Sequence, residues 1–430
     1  MIMRFVMAAA LFATLFGYGC APQKSDGNLQ NNSPDRANDS TMKIAKSPDK
    51  KELRKAAAHR KRRIIMNNDG NDSWSKEPEK DKSPENFLSK RTSPLLGSQV
   101  DAIFYCTGVF NSYTHHSAET ELRAMADRGV DDWAHELIKT GRDSLTIMAD
   151  FCHANGMECF WSMRMNDTHD SADPHLFCQW KKDHPELLMG TKEDKFPYGG
   201  RRWSAVNYGL PEVREKVFRI LQDVCTRYDV DGLEFDFFRH PVYFKPQMTG
   251  DPVTQEHCDM MTDLLRRVRK MVDDEGVRRG RPVMLACRVP DSLGYAKAIG
   301  LDVEKWLADD LVDIVSGTCY FHLEPWENLV ALGKRYDVPV YAVLSGSRIV
   351  SPSAPESKGN IEVWRGEAWR AWEAGVDGIY TFNRFDPKDP IFRELGSTET
   401  LKDLPRKYEF NPGKAMGAWL KGGDAFLVGE

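Results

Sequence analysis

From about residue 97 onward, short apolar runs alternate with segments whose apolar residues recur every three or four positions. Each apolar run predicts a buried strand, and each striped segment predicts a helix that packs through one face. This pattern predicts seven strands, at Val100–Tyr105, Met157–Met163, Leu233–Phe237, Val283–Cys287, Val312–Ser316, Val338–Leu344 and Asp377–Phe382. We expect an eighth strand, second in chain order, near Asp131–Glu136.

The segments between these strands have helix signals at their ends. Ser144–Asn155 carries an apolar stripe and is followed by Gly156, and Pro211 opens a stripe that runs to Arg227. Strands that alternate with helices predict an α/β fold with a parallel sheet. Seven or eight such units in about 300 residues is the size of a (β/α)8 TIM-type barrel. A doubly wound open sheet is the alternative, but no glycine-rich nucleotide loop follows any strand.

The first 20 residues have the pattern of an export signal. Met1–Arg4 is a short positive start, and Phe5–Phe16 is an apolar run too short to span a bilayer. Gly17–Cys20 is similar to a bacterial lipobox, in which the cysteine carries the lipid. Gly17 stands where that motif prefers leucine, and the same residues also suit ordinary signal peptidase cleavage. We therefore expect an exported lipoprotein anchored through Cys20 and facing the periplasm or cell exterior, with secretion as the alternative.

Residues 21–96 differ in composition from the rest. Gln23–Ser47 is rich in Asn, Asp, Ser and Lys, and such a segment buries too little apolar surface to fold alone. Lys51–Ile65 is basic, which indicates either attraction to an anionic surface or a solvated linker. The sequence therefore predicts a signal peptide at 1–20, a disordered linker at 21–96 and a barrel domain at 97–430.

Charge and cysteine content narrow the class of protein further. The 430 residues carry a formal net charge of −5, which argues against a nucleic-acid binder because such proteins present a basic face. Eight cysteines follow Cys20 without a C-x-x-C pair or a zinc-like cluster, and we expect mostly free, buried thiols. We expect no cofactor.

The chemistry of a (β/α)8 barrel is carried at the carboxyl ends of its strands. Polar residues follow each predicted strand, while the strands themselves are mostly apolar. We expect the following residues to bind substrate: Arg164, Asn166, His169, Arg239, His240, Arg288, Tyr320, His322, Glu324, Asn383 and Arg384.

The most informative stretch is Tyr228–His240, with the sequence YDVDGLEFDFFRH. Glu234 and Asp236 are two residues apart on a strand and therefore share a face. Burying two carboxylates together raises one pKa, which is how a general acid stays protonated near neutral pH. Arg239 or Arg288 would hold the other carboxylate ionised. The alternative is a structural pair that bridges to these arginines.

A family resemblance rests on Asn207–Asp236, with Pro211-Glu212-Val213-Arg214 and then Tyr228-Asp229-Val230-Asp231-Gly232. This segment resembles the bacterial glycosyl-hydrolase-like family 10 domain and, more distantly, strands of the alpha-amylase and chitinase groups. The resemblance implies a (β/α)8 barrel that acts on carbohydrate or descends from enzymes that do. Phe238 replaces the chitinase glutamate, and Glu234 replaces the amylase arginine, so neither mechanism transfers whole.

A second constellation, Trp161–Asp170, places donors and acceptors together at a strand end. Asp167 is our preferred partner for Asp236, ahead of three other carboxylates in descending order, Asp291, Glu324 and Asp386. An ordinary polar loop is the alternative. Spacings typical of metal ligands are absent, so we predict no catalytic metal, although Asp167 or Asp170 could bind a structural calcium.

Three classes of function remain open. The first is a glycoside hydrolase that acts on an extracytoplasmic oligo- or polysaccharide through paired carboxylates, Asp236 with Asp167 and Glu234. The second is a catalytically silent barrel that binds carbohydrate. The third is another hydrolase or lyase on the same scaffold.

Overall fold

Eight parallel strands close into a barrel in the computed structural model, which describes residues 49–123, 131–317, 324–349, 359–409 and 417–427. Each strand pairs with its two neighbours in chain order, and the last pairs with the first. The strands are β1 Ile64–Asn68, β2 Val100–Tyr105, β3 Glu158–Arg164, β4 Gly232–Asp236, β5 Met284–Val289, β6 Ile314–Gly317, β7 Val340–Leu344 and β8 Gly378–Thr381. The predicted (β/α)8 barrel is confirmed.

The first strand lies where we expected a disordered linker. All five residues of β1 are buried, and β1 pairs with both β8 and β2. A helix, Lys50–Ala58, precedes it. The predicted boundary at residue 97 is therefore wrong, and residues 49–96 belong to the barrel domain. The basic residues around Ile64–Met66 face partners at the barrel's amino end, which their composition did not reveal. The predicted signal peptide and Cys20 lie outside the described residues.

The strand expected near Asp131–Glu136 is also absent from the barrel. Asp131–Asp132 forms a two-residue antiparallel pair with Trp74–Ser75, and Ala134–Lys139 is a helix. The Asp132 carboxylate accepts hydrogen bonds from Ser73 Oγ at 2.6 Å and Trp74 Nε1 at 2.8 Å. These polar residues fix a loop rather than a barrel strand.

Helices connect the strands on the outside of the barrel. The predicted stripe at Ser144–Asn155 forms the helix Ser144–Ala154, and Pro211 begins the helix Pro211–Arg227. Among the described residues, no helix is both long and apolar enough to cross a membrane. The other helices are Pro84–Ser89, Gln179–Asp183, Lys245–Thr249, Gln255–Arg279, Leu293–Ala298, Val303–Ala308, Trp326–Tyr336, Gly346–Ile349, Ile361–Ala374, Ile391–Glu394 and Thr398–Leu401.

The amino end of the barrel is closed by the helix Lys50–Ala58 and the turn after it. Arg54 forms an ion pair with Asp313 at 2.7 Å, and Arg62 forms one with Glu158 at 2.6 Å. Above this end, aromatic side chains fill the interior, where Phe104 and Phe160 stack with ring centroids 4.3 Å apart. Because side chains fill the interior near the amino end, a site can form at the carboxyl end of the barrel.

The cysteines among the described residues are free and buried, as predicted, and Cys20 and Cys319 lie outside those residues. The seven described cysteines are Cys106, Cys152, Cys159, Cys178, Cys225, Cys258 and Cys287.

Candidate functional site

A row of alternating charges crosses three neighbouring strands at the carboxyl end of the barrel. Asp236 on β4 is the register partner of Arg164 on β3 and of Arg288 on β5. Inward-facing positions alternate along each strand, so these three side chains point toward the barrel axis. The strand-end rule therefore identified three residues that the fold brings together.

Asp236 is held by several donors and is fully buried. Its Oδ1 accepts hydrogen bonds from the backbone N–H groups of Phe238 at 3.0 Å and Arg239 at 3.2 Å. Arg288 donates to both carboxylate oxygens, from Nε to Oδ1 at 3.1 Å and from Nη2 to Oδ2. The Arg288 guanidinium also lies 4.8 Å from the ring centroid of Phe382. These charge-assisted hydrogen bonds fix the position of the buried carboxylate.

Glu234 lies one layer deeper on the same face of β4. Its Oε2 accepts hydrogen bonds from Ser162 Oγ at 2.5 Å and from Tyr380 OH at 3.1 Å. Burial raises the pKa of Glu234, Arg288 lowers it and Asp236 raises it, with a net pKa of about 7. The two carboxylates on this strand therefore have different hydrogen-bond partners.

Asp167 follows β3 and is also fully buried. Arg164 Nη1 donates to its Oδ2 at 3.0 Å, and the backbone N–H of His169 donates to its Oδ1 at 2.9 Å. His169 Nδ1 lies 2.7 Å from the same Oδ1. Burial acts to raise the pKa of Asp167, but the bond from His169 and the charge of Arg164 outweigh it and place that pKa well below the usual range.

The other residues predicted on the loops after β3 and β4 lie beside Asp167. Arg239 Nη2 is 3.1 Å from His169 Nε2, and His240 Nδ1 accepts a hydrogen bond from the Thr168 N–H at 3.0 Å. Asn166 uses its side chain to bind the backbone of Val206, through Oδ1 and Nδ2, each at 2.9 Å. Asn166 therefore joins two loops, and this is a structural role.

Asp167, His169 and His240 offer metal-ligating atoms that all lie within 4.8 Å of one another. These atoms already have partners, however, because Asp167 binds His169 and the Thr168 N–H binds His240. The guanidinium of Arg164 also contacts Asp167. A positive charge so close disfavours a bound cation, so the donor set fits its own hydrogen-bond network better than an ion.

A cleft of about 350 Å³ opens above this network. Its titratable lining residues are Asp69, Arg123, Arg164, His169, Asp173 and Arg239. Asp236, Asp167 and Glu234 are fully buried and lie behind that lining. Clefts of about 530 Å³ at the amino end and about 780 Å³ beside Trp180 lie away from the charged row.

Other predicted residues lie apart from the cleft. Asn383 is exposed, and Arg384 pairs with Asp389 and stacks on Trp364 at 4.8 Å. Glu324 accepts a hydrogen bond from Asn328 at 2.9 Å. Tyr320 and His322 lie outside the described residues. The alternative partner Asp291 forms a buried ion pair with Arg348.

Asp69 was not among the residues predicted from the sequence. It follows β1 and contacts Arg164, with Oδ1 2.7 Å from Nη2. The signal was present, because Asn67, Asn68 and Asp69 directly follow the apolar run Ile64–Met66. The same strand-end rule would have found Asp69 if that run had been recognised as a strand.

Comparison with known proteins agrees with this architecture. Residues 124–261 match the family model described as glycosyl hydrolase-like 10, which confirms the resemblance seen in the sequence. The PgaB (BpsB) glycoside hydrolase domain from Bordetella bronchiseptica has a similar fold, with a TM-score of 0.50 and 10% identity over 79% of this chain and 99% of that one.

A glycoside hydrolase family 18 N-acetylglucosaminidase from Paenibacillus barengoltzii has a TM-score of 0.43 and 11% identity, over 79% of this chain and 98% of that one. No curated protein matches. At 10% identity, the similarity to the PgaB (BpsB) domain indicates a shared fold alone.

Proposed function

We propose that this protein is a glycoside hydrolase that cleaves O-glycosyl bonds of an extracytoplasmic oligo- or polysaccharide at the carboxyl end of the barrel. The observation that carries the proposal is a set of carboxylates in contrasting protonation states beneath an open cleft. Glu234 has a pKa of about 7, whereas the pKa of Asp167 lies well below the usual range. Glycosidases need this combination of one protonated and one ionised carboxyl group. The match to glycosyl hydrolase-like 10 supports the same reaction class.

Each part of the site has a proposed task. Asp236 and Asp167 are carboxylates at the base of the site, Asp167 carries negative charge that favours the oxocarbenium-like transition state, and Glu234 holds a proton near neutral pH. Arg164 and His169 line the cleft and would donate hydrogen bonds to sugar hydroxyl groups. Arg239 also lines the cleft, and His240 and Arg288 lie behind the lining and hold these groups in position.

A catalytically silent, carbohydrate-binding barrel is the second candidate. It is favoured by the full burial of Asp236 and by the four hydrogen bonds that this carboxylate accepts. A carboxylate whose acceptor positions are occupied by donors of the protein has few positions left for a substrate.

The test is reducing-end release from a panel of oligosaccharides, with the wild type compared with Asp236→Asn. If the proposal is right, the wild type releases reducing ends, and Asp236→Asn lowers turnover by about a hundredfold or more, the scale of lost acid–base catalysis. Asp251→Asn is the matched control, because Asp251 is exposed on the loop after β4. Binding of a glycan without new reducing ends would favour the silent barrel.

We also propose that the chain is exported and anchored through a lipid on Cys20, on the strength of the signal-like start of the sequence. Cys20→Ser should then release the protein from the membrane fraction of the cell. An unchanged distribution of the variant would contradict the anchor.

A further inference from the structure

Asp69 occupies an inward position directly after β1. Ile65, Asn67 and Asp69 alternate along the chain and therefore share the inner face of the barrel. Ile65 packs in the barrel interior with Phe104 and Phe160. Asp69 thus belongs to the charged end of the barrel, where it pairs with Arg164.

Exposure separates Asp69 from the three carboxylates predicted from the sequence. The Asp69 side chain is 11% exposed and lines the cleft, whereas Asp236, Asp167 and Glu234 are fully buried. A solute in the cleft would therefore meet the Asp69 carboxylate before any of these three. Asp173 also lines the cleft, but on a loop well after β3 rather than at a strand end.

The number of hydrogen bonds accepted from the protein also distinguishes Asp69 from the buried carboxylates. The carboxylate of Asp236 accepts four hydrogen bonds from the protein, and that of Asp167 accepts three. A carboxylate offers about four acceptor positions, so Asp236 has none to spare. By contrast, Asp69 contacts Arg164 through Oδ1, and this is its one ion pair within the described part of the chain.

The charges around Asp69 stabilise its ionised form. Burial acts to raise the pKa of Asp69, but the guanidinium groups of Arg164, Arg239 and Arg288 outweigh burial and lower that pKa. Asp69 therefore carries a negative charge at neutral pH. Such a group can serve as the ionised carboxylate of a glycosidase but not as its proton donor.

The backbone around Asp69 is fixed. Gly70 adopts the left-handed region with φ of 70°, and its N–H donates to Asn68 Oδ1 at 3.0 Å. Asn68 Nδ2 donates in turn to Asp72 Oδ1 at 3.1 Å. A side chain carried by such a turn keeps a defined direction, which a catalytic group requires.

We propose that Asp69 is a catalytic residue, the ionised carboxylate that faces the sugar in the cleft. Its negative charge stabilises the positive charge that develops on the anomeric carbon as the glycosidic bond breaks. The inference rests on the proposed function and adds to it the group that touches the substrate. Asp236 and Asp167 then act through the arginines that hold Asp69 and the cleft in place.

The test measures kcat and KM for the wild type and for Asp69→Asn, with the glycan found by the reducing-end panel. We expect kcat to fall by about a hundredfold or more, the scale of a lost electrostatic partner in the transition state, with KM changed only a few-fold. Asp251→Asn, with its exposed side chain, should leave both constants unchanged.

Each outcome decides between the claims. If the wild type cleaves a glycan and Asp69→Asn retains kcat within a few-fold, the assignment of Asp69 is overturned while the hydrolase stands. If the wild type cleaves nothing in the panel, the proposed function falls, and the role of Asp69 with it. If Asp69→Asn does not fold, Asp69→Glu decides, because it keeps the charge opposite Arg164 but moves the carboxylate. A tenfold loss of kcat supports the proposal, and an unchanged kcat overturns it.

Discussion

Arg288 and Asp236 are register partners on adjacent strands and form a fully buried ion pair in the barrel interior. Removing one member of such a pair leaves an uncompensated charge away from water, at a cost of about 3–5 kcal/mol. We therefore expect Arg288→Met to lower the free energy of unfolding by about that amount in urea denaturation.

The matched control is Arg335→Met. Arg335 pairs with Glu304 at 2.7 Å, but both side chains are exposed, 62% and 47%. Water and salt screen such a pair, so its loss should cost no more than about 1 kcal/mol. Equal urea midpoints for the two variants would show that the interior pair does not support the barrel.

Glu234 makes stability depend on pH. Its pKa is about 7 in the folded protein, against an ordinary value of 4.5. Between these values the folded state keeps a proton that the unfolded state has lost, so the free energy of unfolding falls as pH rises, by about 1.4 kcal/mol per pH unit. Glutamine cannot ionise, and Glu234→Gln should therefore be more stable than the wild type above pH 7.

Thermal unfolding at pH 5 and pH 8 checks this prediction. The advantage of Glu234→Gln should be larger at pH 8 than at pH 5. Glu193→Gln serves as the control, because Glu193 is exposed on a loop and its replacement should give the same small difference at both pH values. A pH-independent effect at Glu234 would mean that its carboxyl group titrates normally.

Gly70 holds the turn that carries Asp69. A Cβ at this position would lie 1.9 Å from the backbone oxygen of Cys106, and the residue has φ of 70°. Gly70→Ala should therefore lower the melting temperature and also reduce any activity that depends on Asp69. Gly97→Ala provides the comparison, because Gly97 has φ of 75° and no atom within 4 Å of an added Cβ.

The comparison isolates the clash from the backbone conformation. Gly97→Ala should cost about 1–2 kcal/mol, the penalty of the left-handed region alone. The larger loss for Gly70→Ala is the part that comes from the contact with Cys106. Similar losses in the two variants would mean that the turn can shift to accept a side chain.

Most strands of the barrel could be predicted from the sequence, whereas the surroundings of individual side chains could not. Strands β2 to β8 were predicted to within a few residues, because each is an apolar run bordered by a striped helical segment. β1 was missed because its short run lies among basic residues, and composition does not show that those residues face Glu158 and Asp101 at the amino end.

The candidate site was predicted in part for a related reason. Strand ends are visible in a sequence, so Arg164, Asp236 and Arg288 were found. Which of the side chains at a strand end meets solvent depends on the neighbouring strands. The sequence therefore could not distinguish the fully buried Asp236 from a carboxylate that lines the cleft.

The place of β1 in the barrel predicts where the chain can be shortened. A chain of residues 97–430 lacks β1 and leaves the facing edges of β2 and β8 without a partner between them. Such edges expose unpaired backbone groups and favour aggregation. A chain of residues 49–430 keeps β1 and the helix Lys50–Ala58 that closes the amino end.

We expect cooperative thermal unfolding, followed by circular dichroism, from the 49–430 chain. The 97–430 chain should instead aggregate or show a broad, non-cooperative transition. If the 97–430 chain unfolds as cooperatively and at the same temperature, β1 contributes nothing to the barrel, and the boundary expected from composition is right after all.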